Sequence, residues 1–300
     1  MAKPLEQVLQ EKYATQAKLA MSVQKPMGLV KFCEKGDATS GESYTFYRAE
    51  ESTAKDGLPS MYNDDSKGYK GDTGSNGGDA GPLKPYKVFG AYISSQHKID
   101  DIDFKKTSLD AKGTLQKTMS IAVEHKADEK VLKSIKDKDS DLTKQDFASG
   151  TAKGIDDEKV IRALVGKIAV AHASAAMTPD GQKGVSVLIN LKDWEILVQS
   201  NYFLNADFKD SIEWGDNEKP TRIKGAEFLV TKNDNMVPSG TIYIVPSNTC
   251  GFATWKGTEK GVAEYHETDG ARWHLQNRKY VGAICIEPKF ITKFTFKATA

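Results

Sequence analysis

Three aspartates at Asp137, Asp139 and Asp141 have the one-three-five spacing of a calcium-binding loop, and a helical pattern precedes them. That chemistry also needs a glycine at the sixth place for the sharp turn and a bidentate glutamate at the twelfth. Leu142 and Ala148 stand there instead, so a solvated loop is expected. Asp100, Asp101 and Asp103 form a second acidic group, but Lys98, Lys105 and Lys106 beside them make a balanced charge cluster. The five histidines, His97, His125, His172, His266 and His274, show no HExxH pattern and no pairing with cysteine at ligand spacing. Gly166-Lys167 lacks the upstream glycine and the following hydroxyl residue of a phosphate loop. There is no GxSxG elbow, and Cys250-Gly251 has no base partner. No catalytic residue, cofactor or metal site is expected, and the chain reads as a non-enzyme. The four tryptophans divide: Trp194 and Trp273 fall inside predicted elements and are expected in the core, while Trp214 and Trp255 lie near loops as contact residues.

Cys33, Cys250 and Cys285 are odd in number and widely spaced, which fits free thiols in a reducing compartment better than a disulfide framework. Net charge is +1, with 39% hydrophobic and 28% charged residues. This describes an ordinary globular chain, without the dominant basic field of a dedicated nucleic-acid reader. No run of 18 apolar residues suggests a membrane span, and the polar opening MAKPLEQVLQEKY lacks the apolar core of a signal peptide.

The elements that carry these residues change character along the chain. Residues 4–22 have helical spacing, with Leu5, Val8, Leu9, Tyr13, Ala17, Leu19 and Ala20 roughly three to four apart and nothing adjacent to cover that apolar face. Tyr44-Thr45-Phe46-Tyr47 reads as a strand and YKVFGAYI (86–93) as its return. Between them, Gly57 to Gly81 holds seven glycines and almost no aliphatic side chain. A long polar excursion between two strands is uncommon in a compact domain and is usually functional. Residues 108–136 read as one long helix, with Leu115, Met119, Ala122, Val123, Ala127, Val131, Leu132 and Ile135 as its stripe. A second helix opens on Asp156, Asp157 and Glu158, acids suited to the positive end of a helix dipole. VSVLIN (185–190) reads as a buried strand and LKDWEILVQ (191–199) as a short helix. RIKGAEFLV, GTIYIVP, ARWHLQ, YVGAICIE and FITKFTF follow as strands, giving an α+β class with a strand-rich last third.

Arm, strand–loop–strand excursion, long helix, second helix and mixed β lobe, in that order, resemble the major capsid proteins of tailed bacteriophages, the HK-ninety-seven-like (Johnson) fold. Local stretches resemble the phage capsid family too: YISSQHKIDDIDFKKTSLD, SIAVEHKADEKVLKSI with Asp128 among apolar residues, VSVLINLKDWEILVQS, RIKGAEFLVTKNDNMV, and WHLQNRKYVGAICIEPKFITKFTF with its Gly282-Ala283. The glycine-rich tip at 64–81 is longer and more polar than the family pattern. The resemblance implies an N-terminal arm (1–43), an extended loop (44–99) and a peripheral domain with a spine helix (100–154). An axial domain (155–270) and C-terminal strands returning to the peripheral domain (271–300) complete it. It further implies a structural subunit that forms pentamers and hexamers of an icosahedral or prolate head around double-stranded DNA, in a virion assembled in the bacterial cytoplasm. Its partners would be further copies of the chain, portal, scaffold or cement proteins, and non-specifically contacted DNA, with no membrane. Candidate inter-subunit contacts are Tyr62, Asp64, Asp65, Tyr69, Lys70 and Asp72 in the loop, and Phe208, Lys209 and Trp214 in the axial region. An encapsulin-type compartment shell shares the same expected fold, and a phage tail or fibre protein is a further alternative.

Overall fold

A computed structural model describes residues 26–49, 83–100, 111–149, 153–175, 184–200, 212–214, 220–266 and 272–298. The helical arm expected at 4–22 and the glycine-rich tip lie outside the described residues. Two sheets, three helices and a two-stranded hairpin make up the described chain.

The first sheet is organised by β13 (Arg272–Cys285), a 14-residue strand. β4 (Ala91–Asp100) pairs antiparallel along one flank, from Asp100 opposite Arg272 to Ala91 opposite Val281. On the other flank β12 (Lys260–His266) pairs with residues 272–278 and β11 (Cys250–Trp255) with residues 281–285. β1 (Glu34–Ala38) adds in parallel to β11 at the edge. The sequence reading placed two strands, ARWHLQ and YVGAICIE, where β13 is one. Its polar middle, Asn277-Arg278-Lys279, stays extended because β4 pairs across that whole stretch and β12 reaches Arg278.

The second sheet has the order β5-β14-β10-β6-β9-β8-β7. β5 is Thr143–Asp146, β6 Val185–Asn190, β7 Ile212–Trp214 and β8 Pro220–Ile223. β9 is Ala226–Thr231, β10 Thr241–Pro246 and β14 Thr292–Thr295. β6 is buried at all six positions. A strand covered on both faces reads as a continuous apolar run instead of an alternation, hence VSVLIN. Lys224 and Gly225 turn β8 into β9, both with positive φ (53° and 77°), the backbone of the tight turn that suits a twisted hairpin.

Helix α1 (Ala111–Lys136) begins within the span expected for it, with residues 101–110 outside the description. Its buried stripe of Val123, Ala127, Val131, Leu132 and Ile135 packs with Ile93, Phe252, Val281 and Cys285 of the first sheet. Ala122, expected in that stripe, is exposed because it precedes Val123 by one position and faces off the sheet. Leu188, Leu229, Tyr243 and Val245 of the second sheet join the same core. The helix is bolted along β13: Lys130 Nζ donates to the carbonyls of Val281 and its strand neighbour Ala91, and Asn277 Nδ2 donates to Ser120 Oγ at 2.7 Å. Helix α2 (Glu158–Ala175) covers the opposite face of the second sheet. There Val160, Ile161, Leu164 and Ile168 meet Val185, Val187, Ile189, Ile242, Ile244 and Phe294. Its first turn starts at Glu158, one residue after Asp157. The Asp157 carboxylate accepts from Lys159 N at 2.8 Å and caps the helix from outside it. Helix α3 (Leu191–Gln199) follows β6 directly because Asn190 caps it, accepting from Lys192 N at 3.0 Å while donating to Asp234 and to Val237 O.

Candidate assembly surface

β2 (Ser43–Ala49) and β3 (Leu83–Phe89) form the antiparallel base of the long excursion, paired from Ser43–Phe89 to Ala49–Leu83. An isolated two-stranded ribbon is marginal in water, so its position must come from what it rests on. Here that is the face of the first sheet turned away from α1. Tyr44, Phe46, Tyr86 and Val88 point inward and pack with Ala38, Ala253, Trp255 and Tyr280. The sheet accepts them because Gly36, Ala253 and Gly282 fall opposite one another on β1, β11 and β13. This row of minimal side chains cuts a trough across three strands. A methyl on Gly36 would lie 2.4 Å from the Tyr44 ring, one on Gly251 2.6 Å from the Phe46 ring, and one on Gly282 2.7 Å from the carbonyl oxygen of Phe89. Gly282-Ala283, noted in the sequence only as a family pattern, thus has a physical role: the hairpin backbone crosses directly over it.

Polar contacts pin the same ribbon. The buried Arg48 guanidinium pairs with Glu34 at 2.8 Å and donates to the carbonyl of Asn248. Trp255 Nε1 donates to Gly41 O at 2.7 Å, and Gly90 N donates to Glu42 O at 3.0 Å. Trp255, expected near a loop as a contact residue, is instead a core side chain, buried in β11 and edge-on to Tyr280. The misreading came from the Lys256-Gly257 turn immediately after it. Trp194 packs on Phe228 with ring centres 4.8 Å apart, as expected of a core residue. Trp273 is half-buried beside Tyr265.

The outer side of the ribbon is uncovered. Tyr47 is 59% exposed and Phe89 66%, and Tyr92, just past the break at Gly90, is also 66% exposed. Tyr47 faces Pro85, Thr45 faces Lys87 and Ser43 faces Phe89, so one surface of the hairpin carries two aromatic rings, with Lys87 Nζ 5.1 Å from the centre of Phe89. Large exposed aromatics grouped on one element mark a contact surface more often than a solvated one. None of the three was singled out from the sequence. The available signal was SYTFYRA itself, where aromatic residues occupy both phases of a strand, so they cannot all face one core.

Of the expected contact residues, Tyr62, Asp64, Asp65, Tyr69, Lys70, Asp72, Phe208 and Lys209 lie outside the described residues. Trp214 ends β7, where its backbone pairs with Pro220 at the outer edge of the second sheet; its side chain is outside the description.

Two buried carboxylates hold the frame. Asp128, inward on α1, accepts from the backbone N–H of Gly28 at 2.9 Å and Val30 at 3.2 Å. It ties the entering chain to α1, which explains an aspartate inside an apolar stripe. Burial pushes its carboxyl above the ordinary range, and those N–H groups pull it partly back. Asp193 on α3 accepts from Ser239 Oγ at 2.8 Å and Gly240 N at 2.9 Å, and burial again raises its carboxyl. Among the described residues no cluster of histidine, cysteine or carboxylate could hold a metal ion. Of the calcium-like aspartates, Asp139 accepts from Lys293 Nζ of β14 at 2.6 Å and pairs with Lys144 at 3.2 Å. No described helix is long and apolar enough to cross a membrane.

No family model matches the sequence, and no curated protein matches it significantly. Solved structures do match in shape. The capsid of cyanophage P-SCSP1u aligns over 93% of this chain and 91% of its own, with TM-score 0.63 and 13% identity. The capsid of Ralstonia phage GP4 covers 93% of both chains at TM-score 0.53 and 13% identity. A virus-like particle from Pyrococcus furiosus covers 89% of this chain and 91% of its own at TM-score 0.52 and 12% identity. The chain has the α+β, HK-ninety-seven-like fold of phage major capsid proteins.

Proposed function

We propose that this chain is the major shell subunit of a tailed-phage head, assembling into pentamers and hexamers around double-stranded DNA. The observation that carries the reading is a fold shared with phage capsids over nine-tenths of the chain. The uncovered aromatic face of the hairpin supports it, since Tyr47 and Phe89 present apolar area that a neighbouring copy can bury. Each such contact is modest. Repeated around a closed symmetry, with every subunit bound to several others at once, modest contacts give a rigid shell. In this reading the extended loop (44–99) reaches over the adjacent subunit from base strands that rest on the first sheet. Residues 100–154 and the strands of 271–300 form the peripheral domain. Residues 155–270 gather at the five-fold and quasi-six-fold axes, apart from β11 and β12, which pair in the first sheet. A net charge of +1 lets copies crowd without strong mutual repulsion. Portal, scaffold or cement proteins would be further partners, with assembly in the host cytoplasm. The chain acts as a structural protein.

Expression of the full chain, followed by size exclusion and negative-stain imaging, tests this directly. Closed shells built of rings are the expected outcome. A monomer at every salt concentration, or open tubes or trimers of the tail and fibre kind, would refute it. A second reading is a protein compartment built on the same fold, which the virus-like particle from Pyrococcus furiosus also has. Particles filled with nuclease-protected DNA in infected cells favour the head; co-purification of a cargo enzyme bearing a short C-terminal targeting peptide favours the compartment.

A further inference from the structure

The three cysteines, scattered in sequence, meet in one cross-strand row. β1 and β11 pair in parallel with Glu34 opposite Gly251, so Cys33 directly precedes the register position beside Cys250, and Cys250 lies opposite Cys285 on β13. All three are buried. Their side chains differ in engagement. The Cys33 thiol donates to Leu29 O at 3.6 Å, within its own turn, whereas Cys250 and Cys285 stand directly opposite each other across the two strands. The strand geometry at that pair is informative. Ile286 N donates to Thr249 O at 2.9 Å, so Thr249–Ile286 is a hydrogen-bonded pair and its neighbour Cys250–Cys285 is a non-hydrogen-bonded one. Such pairs bring the two Cα atoms to about 4.5 Å and the side chains closest together, inside the span a disulfide bridges.

We propose that Cys250 and Cys285 are a cross-strand dithiol that closes to an intramolecular disulfide in the folded chain, with Cys33 remaining the free thiol. The oxidant is a small disulfide of the glutathione class. One cysteine thiolate attacks it, a mixed disulfide forms and one small thiol leaves. The second cysteine then attacks the mixed disulfide, the Cys250–Cys285 bond forms and the second small thiol leaves. Two protons and two electrons pass from the pair to the oxidant. Burial keeps Cys33 largely protonated, and the neighbouring Cys285 side chain together with burial does the same for Cys250, so oxidation proceeds through local opening of the sheet and is slow. The bond closes a loop of roughly 35 residues that contains β12 and most of β13, and restricts the unfolded chain accordingly.

The full-length protein is held without denaturant in glutathione buffers of increasing oxidised fraction until its thiol content is constant. Thiols are then blocked in denaturant, counted by mass, and the linked peptides mapped. The expected result is a fall from three free thiols to one, a chain lighter by two hydrogen atoms, and a single link between Cys250 and Cys285. The melting temperature rises by about 5–10 °C, and excess dithiol reverses it. Cys33→Ser keeps the link, and Cys285→Ser loses it. Should a serine variant fail to fold, the wild-type peptide map decides alone. Three thiols persisting in every buffer, a link containing Cys33, or a link that forms only after unfolding overturns the proposal.

Discussion

Replacing Gly282 by alanine tests whether the hairpin is positioned by the trough beneath it. The added methyl would lie 2.7 Å from the Phe89 carbonyl oxygen and 2.8 Å from Val88 Cγ2, where ordinary contact begins near 3.4 Å. One obstacle is backbone, so no rotamer relieves it, and the ribbon must lift by roughly 0.7 Å. Overpacking of this kind costs about 1–3 kcal/mol. In a chain of this size that lowers the melting temperature by roughly 2–6 °C. The geometric effect is larger than the energetic one, because the far end of β3 lies about 17 Å from the crossing and moves at least as far as its base. Differential scanning fluorimetry should therefore show a folded, slightly weakened subunit, while sedimentation and microscopy show a large loss of closed shells. Gly261→Ala is the control, since that glycine is exposed on β12 and its methyl meets nothing within 4 Å. If Gly282→Ala melts and assembles like Gly261→Ala, the trough has no positioning role and the reasoning fails.

Deleting residues 57–81 should leave circular dichroism and melting nearly unchanged, since the segment holds almost no aliphatic side chain and Ala49 and Leu83 already face each other at its base. Assembly should be lost; normal shells from this variant would make the loop decoration, and failure to fold would place it in the core. For Asp128 the folded carboxyl is raised above its unfolded value, so the folded state binds more protons, and this residue's contribution to stability grows as pH falls toward about 4 and shrinks as pH rises. The melting temperature of the wild type relative to Asp128→Asn should rise on acidification; the opposite slope would mean that the Gly28 and Val30 hydrogen bonds outweigh burial. Asp139→Ala should reduce stability by about 1 kcal/mol, since Lys144 is exposed and Asp139 and Lys293 are only partly buried. Assembled particles should be indifferent to a chelator, and EDTA-driven disassembly reversed by calcium would contradict the lysine pairing of Asp139.

Elements whose own residues bear their cause were legible in advance. β6 and α3 match their expected spans because VSVLIN is buried on both faces and Asn190 supplies the cap. α1 was readable from its stripe. What escaped depends on partners distant in sequence. β1 (EKGDA) has no strand signal of its own and exists through parallel pairing with β11, more than 200 residues on. The trough needs Gly36, Ala253 and Gly282 in one register, and no local pattern announces that three separated small residues will align. The exposed ring of Phe89 looks identical in sequence to the buried ring of Phe46; only the pairing fixes which phase of each strand faces the sheet.

The placement of β14 bears on when a subunit becomes competent. It lies between β5 and β10, hydrogen-bonded to both, so residues 292–295 fill the gap between two strands made some 150 and 50 residues earlier. While a ribosome still holds that stretch, β5 has no neighbour and the Ile242–Ile244 face lacks Phe294 and Phe296. At synthesis rates of about 5–20 residues per second, a nascent chain thus spends many seconds with its second sheet open. Completion of the second sheet therefore waits for the strand made last, while the first sheet with its hairpin can close as soon as residue 285 is free.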